Sequence, residues 1–165
     1  MTKENVIKTH EVAQRIASQF TLIKKGNSER TYTTGLWRVY VTIKWNRHRI
    51  KLKVIGRHIK TEQHFTYFKL RKAYLLSLVS RSETYNSKGV KSALAQVILS
   101  SPNAQNLMYA EYPKLVLNNK QLEFFGTIHK QDKKSLSNIF TLFDALLLEL
   151  EDALALIPQK KTTTQ

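Results

Sequence analysis

Between Leu36 and Lys60 apolar and polar residues alternate on either side of Asn46-Arg47, the period of two that a strand imposes on its side chains. Trp37, Val39, Val41, Ile43 and Trp45 share one face of the first arm, and Ile50, Leu52 and Val54 share one face of the second. A hairpin closing at Asn46-Arg47, or a four-residue loop over 45–48, sets Ile43 opposite Ile50, Val41 opposite Leu52 and Val39 opposite Val54. The other face then carries Arg38, Tyr40, Thr42 and Lys44, followed by Arg49, Lys51 and Lys53, with Arg47 at the tip. This pairing sets Lys44 against Arg49, and like charges directly opposite weaken a ladder.

Elsewhere the spacing is mostly helical. Residues 5–20 carry Val12, Ile16 and Phe20 at intervals of four, which predicts a helix. Residues 24–34 are polar, contain Gly26 and predict a loop. A helix over 61–81 is predicted from the stripe Phe65, Phe68, Leu75, Leu76 and Val79, with Tyr67, Arg71, Tyr74 and Arg81 along another side. A loop over 82–88 leads to a helix capped by Ser87, through Val90, Ala93, Leu94, Val97 and Ile98. Ser101-Pro102 opens a short helix, and Tyr112-Pro113 ends it. A second hairpin turns at Asn118-Asn119-Lys120, between 115–117 and 122–128. The last helix runs from Ser135 or Ser137 to Ile157, and 159–165 form a polar tail expected to be disordered.

The predicted fold is therefore α+β, a single domain over 1–158. Two β-hairpins form a small, mostly antiparallel sheet packed against four or five helices, in the order α-ββ-α-α-(α)-ββ-α. The final helix is apolar on several sides, from Leu136 to Leu156, so it is either the central core element of a monomer or the surface through which any homodimer forms.

Charge sharpens the picture of the first hairpin. Lys and Arg number 27 against 12 Asp and Glu, a net charge of +15 with a pI near 10.1. Residues 1–60 hold 14 basic and 3 acidic residues, net +11, whereas 133–165 hold 4 of each, net 0. No acidic residue lies between Glu29 and Glu62. Such a field attracts polyanions, nucleic acid first. The residues expected to meet it are Arg38, Tyr40, Lys44, Arg47, His48, Arg49, Lys51, Lys53, Arg57 and Lys60. A solvated edge guarded by Lys and Arg needs only one or two of these charges.

Other chemistries find less support. The absence of Cys excludes disulfides and thiolate metal sites. His10, His48, His58, His64 and His129 show no metal-ligand spacing, and His48 and His58 read as part of the basic surface. Glu62, Glu83, Glu111, Glu123 and Asp132 lie in different elements, and no phosphate-cradling Gly-rich loop or nucleophile elbow is present. Residues 1–14 lack the apolar core of a signal peptide, and acidic residues interrupt the apolar run at 139–157. The expectation is an intracellular, cytoplasmic or nucleoid-associated, non-enzymatic nucleic-acid-binding protein with no cofactor and no membrane association. Its partner would be DNA rather than RNA, held as a duplex by the basic hairpin. The alternatives are an adaptor or inhibitor docking on another protein through the basic face, and a metal-dependent nuclease or recombination enzyme whose carboxylates converge only in the fold.

Overall fold

Alternation carries well beyond the first hairpin. A computed structural model describes Glu11, Gln14, Arg15 and residues 25–72 and 85–157, and these residues are 48% strand against 33% helix. The strands are β1 (Gly26–Thr34), β2 (Trp37–Trp45), β3 (Arg49–His58), β4 (Phe65–Lys72), β5 (Tyr85–Gly89), β6 (Glu111–Asn119) and β7 (Gln121–His129). The helices are α1 (Ala93–Ser100) and α2 (Pro102–Leu107), between β5 and β6, and α3 (Lys133–Leu156), after β7. All seven strands join one antiparallel sheet in the order β1-β2-β3-β7-β6-β4-β5. The expected small sheet on four or five helices is thus corrected to a wide sheet with three helices.

Three segments account for the difference. Residues 65–72 form β4 rather than helix, and a β-bulge between Phe65 and Phe68 explains the misreading. The bulge turns both rings inward at a spacing of three, which imitates helical periodicity. Residues 26–34 form β1 rather than a loop. Its inward positions Ser28 and Thr34 are small and polar, so no apolar alternation marks it. Residues 85–89 form the edge strand β5, so the helix expected to be capped by Ser87 begins later, at Ala93, where Ser92 accepts from the amide of Ala95. The expected helix over 5–20, the stretch 73–84 and the tail lie outside the described residues.

The first hairpin keeps its faces but shifts by two residues. Trp45 pairs Ile50, Ile43 pairs Leu52, Val41 pairs Val54, and Val39 pairs Gly56. Asn46 sets this register. Its side-chain oxygen accepts from the amides of His48 and Arg49 at 2.9 and 2.8 Å, an Asx turn that centres the loop one residue farther along the chain. A shift of two preserves which side chains point inward, so the core assignment survives.

The inner face is covered by helix. Trp37, Val39, Val41, Leu52, Val54, Leu122, Phe124, Leu115, Leu117 and Phe68 line it, fully buried or nearly so. α3 crosses this face. Leu147 lies over Gly56, where a Cβ would come within 2.6 Å of its methyl carbon. Leu148 and Glu151 pack on Gly35, whose φ of 53° suits glycine in the β1–β2 turn. Glu151 accepts from the amide of Leu36 at 2.7 Å, pinning that turn to the helix. α3 starts at Lys133, where Asp132 accepts from the amide of Ser135, slightly earlier than the sequence suggests. Leu136, Ile139, Phe140, Phe143, Leu146, Leu147 and Leu150 are buried within the chain, and Leu156 is exposed. Among the described residues no helix is long and apolar enough to cross a membrane.

Candidate nucleic-acid interface

Alternation along β2 and β3 sends the second row of side chains to the sheet's open face. Arg38, Tyr40 and Lys44 stand exposed on β2, Arg49, Lys51 and Arg57 on β3, and Lys53 is half-buried between neighbours. Arg47 and His48 are exposed in the turn, and Lys60 just after β3. The ten sequence-predicted residues thus share one face or its rim.

The register brings like charges together. Lys44 lies opposite Lys51, not Arg49 as the hairpin pattern suggests, and Arg38 lies opposite Arg57. Farther across the sheet, Lys69 lies opposite Lys88, and Arg71 opposite Lys114. Each such pair weakens its ladder, by a magnitude on the order of a few tenths of a kcal/mol. Among the described residues, Arg38, Lys44, Lys51 and Arg57 have no carboxylate within ion-pair distance.

Two acids temper the middle of the face. Arg49 Nη1 lies 3.0 Å from Glu111 Oε2, and His129 Nε2 lies 3.5 Å from Glu111 Oε1. Lys53 Nζ reaches Glu123 Oε2 at 4.0 Å. These are partly exposed pairs of small net worth. The Phe125 ring lies between two cations, with Lys114 Nζ 4.0 Å and Lys53 Nζ 5.4 Å from its centroid. Tyr40 is 37% exposed and Tyr67 41%, which leaves ring surface beside the charges.

His58 does not belong to this face. It points inward opposite Trp37, with ring centroids 4.9 Å apart and the planes nearly perpendicular. Its Nδ1 accepts from the amide of Thr61 at 2.9 Å. Burial lowers its pKa below the ordinary imidazole value, against the opposing influence of the Glu151 carboxylate. The expectation that it extends the basic surface is therefore corrected.

Sequence reasoning missed Lys69, Arg71, Lys88 and Lys114 as members of the face. The sign was present in Phe68-Lys69-Leu70-Arg71, a short alternation overshadowed by the helix-like spacing around it. Among the described residues, no group of three His, Asp or Glu side chains is placed to hold a metal; Glu83 lies outside them. Comparison with protein-family models, curated proteins and solved structures yields no match to the chain.

Proposed function

We propose that this chain is a non-enzymatic nucleic-acid-binding protein that takes the phosphate backbone, of duplex DNA in preference to RNA, on the open face of its sheet. The cross-strand like-charged pairs carry the reading. A sheet shaped for stability alone would set Glu or Thr opposite Lys. Guarding an edge does not explain the pairs either, because β2 and β3 lie inside the sheet, flanked by β1 and β7. An anionic partner that sits between the cations turns the repulsion into attraction.

The width of the sheet bears on how the partner lies. A free two-stranded ribbon enters the major groove, which is about 12 Å wide. Seven strands at about 4.8 Å spacing span roughly 29 Å. The face therefore lies over phosphates, and the turn at 46–48 is narrow enough to reach into a groove. The exposed rings of Tyr40 and Tyr67 favour a second reading, in which single-stranded bases stack on the sheet.

Fluorescence anisotropy with duplex DNA, single-stranded DNA and RNA of equal length separates these readings. Duplex DNA is expected to bind tightest, and Lys51→Glu with Arg57→Glu to weaken it by about tenfold or more. Equal affinity of the variant and the parent chain contradicts the proposal.

A further inference from the structure

One corner of the molecule gathers positive charge in a hollow rather than on a face. The β2–β3 turn meets the connection from β7 to α3 there, and the amide of Lys130 donates to the carbonyl of His48 at 2.8 Å. Between them lies a cavity of about 590 Å³ lined by Arg47, Arg49, Lys130, Lys133 and the imidazoles of His48 and His129. No carboxylate lines it. Of the acids in this corner, Glu111 pairs with Arg49 and His129, and Asp132 accepts from the amide and hydroxyl of Ser135. His129 is also part of the wall of a second cavity, of about 460 Å³, with apolar surface from Leu107, Ala110, Ile128 and Leu142 beside the polar groups of Asn138 and Thr141 and the carboxylates of Glu111 and Asp132.

From these adjoining hollows we infer a site for a nucleoside monophosphate unit, its phosphate in the cationic hollow and its base in the half-apolar one. A phosphate monoester carries more charge than a backbone diester, about −1.5 to −2 near neutral pH, and the four cations lining the hollow suit it, Arg49 sharing its charge with Glu111. Two of the four are arginines, whose forked donors match phosphate oxygens. The neighbouring hollow offers a planar ring an apolar wall with amide and hydroxyl groups at its margin, the usual make-up of a small-molecule site. For one source of the ligand, the 5′-phosphorylated end of a bound strand, the inference rests on the nucleic-acid reading above. A free mononucleotide presents the same chemistry.

The test uses the full chain and two oligonucleotides that differ only in a 5′-phosphate or a 5′-hydroxyl, together with free nucleoside 5′-monophosphate. The phosphorylated strand is expected to bind about tenfold tighter, the worth of one good charge-assisted contact. Lys133→Glu should erase that difference. A carboxylate is favourable in the first turn of α3, so this variant keeps the fold. Arg57→Glu, on the sheet, should weaken both strands and leave their ratio unchanged. An end preference without uptake of free nucleotide identifies the strand end as the ligand, and uptake of monophosphate that Lys133→Glu abolishes identifies the free nucleotide. Equal binding of both strands with no monophosphate uptake overturns the inference, as does a preference that survives Lys133→Glu. If both strands bind equally, no monophosphate is taken up and Arg57→Glu weakens both strands, the sheet reading stands and the corner site falls. If monophosphate binds while Arg57→Glu leaves strand affinity unaltered, the reverse holds.

Discussion

A hydrogen bond between Tyr32 and Asp144 ties the first strand to the last helix. The phenol donates to Asp144 Oδ1 at 2.7 Å, and the carboxylate is 1% exposed. Burial, followed by the adjacent carboxylate, raises the Tyr32 pKa well above the ordinary phenol value, so the hydroxyl remains a donor. Tyr32→Phe removes a donor from a buried acid and is expected to cost about 2 kcal/mol in denaturant unfolding. A loss under roughly 0.5 kcal/mol would show that the acid is held without it. His58 supplies the pH dependence. Its folded pKa lies below the unfolded one, so the unfolded chain binds the extra proton. Its contribution is full above the unfolded value, about 6.5, and is lost as pH falls from there through the depressed folded value. Melting temperature should therefore drop as pH falls below about 6.5, and His58→Gln should flatten that part of the profile. A profile unchanged by the substitution assigns the drop to other groups. The position of His58 was legible, since it continues the inward phase of Ile50, Leu52, Val54 and Gly56. Its charge suggested the surface, whereas its phase pointed to the core.

At the scale of the element, β3 carries the clearest trade between stability and binding. Lys51 faces Lys44, and Arg57 faces Arg38. Lys51→Glu with Arg57→Glu converts both like-charged pairs into opposite ones and should stabilise the protein by about 0.5 to 1 kcal/mol while weakening nucleic acid. A destabilised double variant would mean that the repulsion is relieved some other way in the native sheet. On the covered side, Val41→Ala or Leu52→Ala should cost about 2 to 4 kcal/mol, because each empties a packed position. The two hairpins, the Ser101-Pro102 helix start and the long last helix were legible in the sequence, because alternation, turn residues and capping there agree with one another. β1, β4 and β5 were not. β1 and β5 are edge strands with polar sequences, and β4 hides its period of two behind the bulge at Phe65 and Phe68. Three cations of the charged face were lost with them, since Lys69, Arg71 and Lys88 are outward residues of β4 and β5.

For the whole molecule, the division of labour is between a sheet face closed by α3 and another left open and cationic. The excess of 15 positive charges is an asset only if a polyanion covers that face. The most direct measurement is the salt dependence of duplex binding, made on the parent chain and on Lys51→Glu with Arg57→Glu. With about six phosphates neutralised, log K against log salt should fall with a slope of about −5. In the double variant the slope should become shallower by about 2, one unit for each cation removed. A parent slope near zero, or the same slope in both proteins, would contradict the open sheet face as the site of nucleic-acid binding.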